Sequence, residues 1–341
     1  MVLSLVLIGI IGLMFFSSVI SVFMQGGGTT GTQSGRHFQE VTVESPEARD
    51  KIAVVPVEGM ITSAPWDPAG RSMVDVIEDQ LKLAAKDNNV KAVILMIDSP
   101  GGEVLASDDI SRAIIQFQEK HKKPVIASMG GLAASGGYYV AAPCQYIVAN
   151  ELTITGSIGV IMSTFNYRGL MDKVGLQPRV FKSGKFKDML RGSKLPEEMD
   201  PAVDEMVNDM IMETFAKFKS VVKNGRDRAA SINKASGKTL APNWEEYADG
   251  RILTGKKAFE LGFVDKLGNF QTALDTARQI AGIPGKAHVI RYVEPFSLAR
   301  LFGMGMKTRA TEPNVVKLDL GLDIPKLEAG RLYFLAPTVA P

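Results

Sequence analysis

The run KAVILMID, Lys91–Asp98, holds only apolar residues between its end charges and stops at SPGG, Ser99–Gly102. Successive side chains of a strand point to opposite faces, so a strand with no alternation must be covered on both. That demand selects a sheet flanked by helices, and the neighbouring sequence supplies the parts. KIAVVPVEGMI (Lys51–Ile61), PVIASM (Pro124–Met129) and QYIVAN (Gln145–Asn150) read as further strands. Helical spacing of apolar residues fills Met73–Lys86 and Val104–Lys120, and a short helix fits Ser135–Ala142. The alternation predicts an α/β fold with a mostly parallel sheet and flanking helices. Beyond it, Asp200–Val222 reads as an amphipathic helix with Pro201 in its first turn, and Gly255–Gly262 as a helix ended by Gly262. After about Gly282 the pattern loosens, and the chain ends in the apolar stretch RLYFLAPTVAP.

The composition narrows the function. With 341 residues and a net charge of +2, the chain has ample core and no basic field to attract nucleic acid. One cysteine excludes an internal disulfide and a multi-cysteine zinc cluster, and three histidines argue against a histidine-rich metal site. No metal and no cofactor is expected.

Met1–Met24 carries no charged residue. About 20 apolar residues at about 1.5 Å each cross a bilayer core. A cleaved signal peptide needs a basic start and an apolar region of only about 7–15 residues, and this segment fits neither. The expected organisation is a transmembrane anchor at 1–24, a flexible Gly/Ser/Thr-rich linker at 25–50, a catalytic domain at 51–285 and a C-terminal extension at 286–341.

Glycine-flanked turns follow three of the strands: DSPGGE, GGLAASGGYY and TITGSIGV. In an open α/β sheet, loops at the carboxyl ends of strands form the binding crevice. SPGG can present bare backbone N–H groups, as an oxyanion hole or a phosphate loop requires. The chain lacks GxxxxGK[ST], which disfavours the phosphate loop, but an ordinary strand-to-helix turn reads the same way. Ser135, among small residues at a helix start, resembles a nucleophile elbow, although Ala133 breaks the GxSxG form. A helix N-cap is the simpler reading of that serine. None of His37, His121 and His288 lies in these turns, so a Ser-His-Asp triad is poorly supported. The segment Val180–Lys194 offers lysines at 182, 185, 187 and 194. A lysine base would need its pKa lowered from about 10.4 toward 7, a cost of about 4–5 kcal/mol to the charged form. A solvated basic loop is the alternative.

DSPGG at 98–102, ASGGYY at 134–139, TGSIGV at 155–160, KSGKFKD at 182–188 and GRILTGKKAFELGFVDKLG at 250–268 occur in that order. Together they resemble the signal peptide peptidase A family of serine–lysine membrane peptidases, over about Lys51–Gly282. The resemblance implies the fold shared by caseinolytic protease subunits and crotonases. It implies Ser135 as nucleophile, Lys187 as general base with Lys185 as second choice, Gly102 and Gly136 as oxyanion donors, and Ser157 orienting the lysine. It assigns the 250–268 stretch no chemistry. Cys144 stands where members often carry another small residue, and reads as a buried thiol with nothing electropositive beside it. The implied activity is hydrolysis of hydrophobic peptides such as remnant signal peptides through an acyl-enzyme, at the cell membrane. The implied topology is single-pass with the catalytic domain on the extracytoplasmic side. A homo-oligomeric ring is implied too, with Ser135 of one protomer meeting Lys187 of a neighbour. The tail Arg331–Pro341 is expected to pack on a neighbour, lie in the cleft as a substrate mimic (a theme of the family) or fray. The rival functions are a catalytically inactive membrane scaffold of the same fold and a crotonase-like acyl-CoA enzyme.

Overall fold

The protein is described by a computed structural model covering residues 38–65, 70–294 and 332–336. Its first half runs β1 (Gln39–Glu44), β2 (Lys51–Glu58), α1 (Met73–Lys86), β3 (Val90–Ser99), β4 (Gly101–Glu103), α2 (Val104–His121), β5 (Val125–Ala134), α3 (Gly136–Ala141) and β6 (Tyr146–Ala149). There follow β7 (Ile154–Gly156), α4 (Arg168–Lys173), α5 (Pro201–Asn233), β8 (Ile252–Thr254), α6 (Gly255–Glu260), β9 (Lys266–Leu267), α7 (Phe270–Ile280), β10 (His288–Val293) and β11 (Tyr333–Leu335).

β3 lies mid-sheet, as its unbroken apolar run demands. The order is β1-β10-β2-β3-β5-β6-β9, with β7 beside the far end of β5 and β8 beside β7. Within this sheet all pairs are parallel except β1 with β10 and β7 with β8. Val93, Leu95 and Ile97 point to the face covered by Ile77 and Leu81 of α1 and Ile110 and Ile114 of α2. Ala92 and Ile94 point the other way, onto Ala273, Leu274 and Ala277 of α7. The mixed α/β architecture with a mostly parallel sheet is therefore present as expected, and burial on both faces explains the absence of alternation.

The edges differ from expectation. β1 lies within the 25–50 segment read as linker, paired antiparallel to β10. β10 lies in the C-terminal stretch where the sequence pattern loosens, yet it forms a parallel ladder with β2. α5 extends to Asn233, past the expected end at Val222. The Met1–Met24 segment lies outside the described residues. Among those described, no helix is long and apolar enough to cross a membrane.

One buried ion pair ties α5 to the sheet. Arg226 bonds the Asp265 carboxylate and donates to the Cys144 carbonyl at 3.3 Å, while Asp265 accepts from Ile147 N–H at 2.8 Å and Lys238 N–H at 3.0 Å. The Cys144 thiol is buried as expected, and burial pushes its pKa up to about 12. The expectation that nothing electropositive adjoins it does not hold. Arg226 sits against its carbonyl, and Asp265 balances that charge.

Candidate active site

The three glycine-flanked turns meet where β5 ends. β5 breaks register with β3 between Met129 and Ala133, and β7 then pairs with Leu132–Ala134, Ala134 opposite Gly156. The chain then reverses at Ser135, whose φ of 54° and ψ of −117° lie in the left-handed half of backbone space. For a non-glycine residue this costs on the order of 1–3 kcal/mol and is held only by strong surroundings. Ser135 N–H donates to Gly156 O at 2.8 Å, and Ser135 O accepts Tyr139 N–H at 2.8 Å. The Ser135 side chain is fully buried, and its Oγ has no hydrogen-bond partner among the described residues. It therefore does not act as an N-cap, which removes the simpler reading of this serine.

Gly102 and Gly136 come together beside it. A Cβ on Gly136 would fall 2.7 Å from Ser107 Oγ and 3.0 Å from Gly102 N, so no side chain fits between the two N–H groups. Gly101 takes a φ of 103°, which turns the SPGG segment into β4 rather than a simple turn. Ser157, at φ 50° and nearly buried, follows β7 directly, its N–H donating to Arg251 O at 2.7 Å.

β11 lies on β4 in antiparallel register, Phe334 opposite Gly102. Val104 N–H donates to Leu332 O at 3.3 Å and Ala336 N–H to Pro100 O at 2.9 Å. That spacing makes Gly102 and Phe334 the hydrogen-bonded pair between them, with Gly102 N–H on the Phe334 carbonyl. On the other side, Tyr333 and Ile161 exchange bonds of 3.0 and 3.1 Å, so the tail strand is held from both flanks. The Phe334 ring stacks on Tyr139 at 4.8 Å and meets Phe218 of α5 at 4.6 Å, fully buried. Of the three fates expected for the tail, the cleft is the one observed for residues 332–336.

The lysines lie elsewhere. Lys187 is exposed in the turns between α4 and α5 and does not reach Ser135 Oγ. Lys182 and Lys194 ion-pair with Asp188 at 2.8 and 3.3 Å, and Lys185 with Asp200 at 2.5 Å. Those contacts, the Lys182 hydrogen bond foremost, hold the Asp188 carboxyl below the usual carboxylate range. Lys187 is the one lysine of this group without an ion pair among the described residues. The structure thus brings Ser135, Gly102, Gly136 and Ser157 into one cleft and leaves Lys187 and Lys185 outside it. Sequence reasoning missed Tyr139 and Phe218 as cleft walls. Phe218 belongs to the apolar stripe of α5, which reads as ordinary core.

Residues 117–284 match peptidase family S49. A protease of Synechocystis sp. is 37% identical over 253 residues, spanning 74% of this chain and 82% of its own. The chain belongs to peptidase family S49, the signal peptide peptidase A family. It is a serine-type peptidase. A protein of Enterococcus faecium named as a signal peptide peptidase SppA is 34% identical over 70% of this chain and 66% of its own. The chloroplastic serine protease SPPA of Arabidopsis thaliana is 35% identical over 69% of this chain but 33% of its own length. This S49 peptidase thus matches only part of the longer relatives.

Proposed function

We propose that the protein is a membrane-anchored endopeptidase with a Ser135–Lys187 dyad that cleaves apolar peptides such as remnant signal peptides. The observation that carries this reading is the Ser135 hydroxyl, buried and unpartnered at a left-handed elbow beside the N–H groups of Gly102 and Gly136. Such a hydroxyl waits for a base and an acyl group rather than filling a structural role. Ser135 Oγ attacks the scissile carbonyl as its proton passes to the neutral Lys187 amine, and the Gly102 and Gly136 N–H groups hold the oxyanion. The leaving amine takes that proton as the C–N bond breaks. Water, deprotonated by Lys187, then attacks the ester, releasing the acid and returning the proton to Ser135 Oγ.

The base arrives from a second copy of the chain, in a ring. Among the described residues Lys187 is exposed and makes no ion pair and Ser135 Oγ has no partner, while Lys185 is already engaged by Asp200. Ser157, one residue from the Gly156 carbonyl that fixes Ser135, orients the incoming ammonium. The tail strand supports the substrate class. Its Phe334 carbonyl lies on Gly102 as a scissile carbonyl would, and its ring fills an apolar, aromatic-walled pocket. Met1–Met24 anchors the chain, with the catalytic domain on the extracytoplasmic side. Replacing Ser135 or Lys187 by Ala abolishes cleavage of an apolar reporter peptide, and full activity in Ser135→Ala overturns the proposal.

A further inference from the structure

The strand pairing around β11 singles out one charged side chain, that of Glu103. Within β11 the backbone groups of Phe334 face β4, and those of Tyr333 face Ile161. Glu103 and Tyr333 are therefore a non-hydrogen-bonded pair, the kind whose side chains stand closest, on one face of the sheet. Ile161, opposite Tyr333 on the other flank, presents its side chain to that same face. A peptide bound in place of Tyr333–Leu335 thus sets the side chain that precedes the Phe334 place between Ile161 and Glu103. The Glu103 carboxylate is held by the segment on the far side of β4. Thr62 Oγ1 donates to it at 3.0 Å and Ser63 N–H at 3.1 Å, with the Ser63 hydroxyl as a third donor. Ile61 bridges Gly102 on that side, so the carboxylate leans away from β11. A long side chain reaches it from β11 and a short one does not.

We propose that Glu103 is a specificity-determining residue that selects lysine or arginine immediately before the residue whose carbonyl is attacked. The inference rests on the Ser135 cleft being the catalytic site, with the residue in the place of Phe334 supplying the scissile carbonyl. The aliphatic stem of the cation lies along Ile161, and its charged head reaches the half-buried Glu103 carboxylate. A glutamate in the same place meets a like charge, and a small residue reaches neither partner. The preferred sequence is then a cation followed by a large apolar residue. That is the junction at which the basic start of a signal peptide meets its apolar region. A cut there frees the apolar segment from its charged flank.

The test uses the full-length protein in detergent and peptides cut after one phenylalanine, with lysine, glutamine or glutamate just before it. The bond cut is mapped by mass. Wild type cleaves the lysine peptide with kcat/KM about 10-fold above the glutamate peptide, with glutamine between them. Moving the lysine one place toward the N-terminus turns it to the opposite face and removes the gain. Glu103→Gln removes the preference for lysine over glutamate, and Glu103→Lys inverts it. A residue that only supported β4 would change the overall rate in these variants and leave the preference as it was. Wild type without the preference overturns the proposal, as does a preference unchanged in either variant or a lysine gain that persists one place away. If both variants are too unstable to assay, the wild-type position series decides alone. If a serine-directed probe labels Ser135 and the peptides are cut without discrimination, or not at all, this inference alone fails. If no peptide is cut and Ser135 is not labelled, the reading of the site fails with it.

Discussion

Gly136 shows how tightly the site is specified at the scale of one residue. A methyl group there meets Ser107 Oγ and Gly102 N at 2.7 and 3.0 Å, and it would push apart the two N–H groups assigned to the oxyanion. Gly136→Ala is expected to lower kcat about 100-fold or more, the scale for losing an oxyanion donor, with far less effect on thermal stability. Asp249 offers a different test, through pH. Hydrogen bonds from Arg251, at 2.5 and 2.7 Å, hold its carboxyl down to about 2 from 3.8, and the Arg251 carbonyl in turn accepts the Ser157 N–H. A depressed carboxylate stabilises the fold above its unfolded pKa and loses that effect as pH falls through the folded one. The Tm therefore falls between about pH 4 and 2, and a melting series on Asp249→Asn shows a shallower fall in that window. Ser135 was legible as a candidate from its small neighbours, but its two readings were separable only by geometry. An N-cap serine bonds its own helix, and this one does not.

At the scale of elements, the strands and helices that carry their own periodicity were readable, and those formed by a distant partner were not. β3 and α1 follow from side-chain pattern and match to within a residue. β4 consists mainly of glycine and has no pattern. It exists because Ile61 bridges Gly102 on one side and β11 pairs on the other. β10 alternates weakly and gains its place from a parallel ladder with β2, far away in the chain. α5 continues past Val222 because Gly225 lets it approach the Ala142 carbonyl, where a Cβ would fall 2.4 Å away, and because Arg226 then reaches Asp265. Both members of that pair are fully buried. Asp265→Ala therefore strands the guanidinium and costs about 3–5 kcal/mol in denaturant unfolding. Arg226→Met combined with Asp265→Leu recovers part of that loss, because neither charge is then left unpaired.

At the scale of the whole molecule, the site reads as half of a machine. Ser135, its two N–H donors and Ser157 converge within one chain, while Lys187 faces outward from a surface that also exposes Phe165, Leu170, Val174, Phe181 and Met199. The serine half was legible because glycine turns mark it. The lysine half came only from resemblance, since four lysines in a basic loop look alike until Asp188 and Asp200 claim three of them. If the dyad forms between copies, mixing inactive Ser135→Ala with inactive Lys187→Ala restores part of the activity. If it forms within one chain, the mixture stays dead. Removing the tail from Leu332 onward frees β4 and the Phe334 pocket, and is expected to raise kcat/KM toward apolar peptides severalfold. The central claim is that Ser135 becomes acylated, and it is tested most directly by intact-mass and peptide mapping after reaction with a serine-directed fluorophosphonate. One adduct on the peptide containing Ser135, absent from Ser135→Ala, is the predicted result. An adduct on another serine, with peptide cleavage intact in Ser135→Ala, would contradict it.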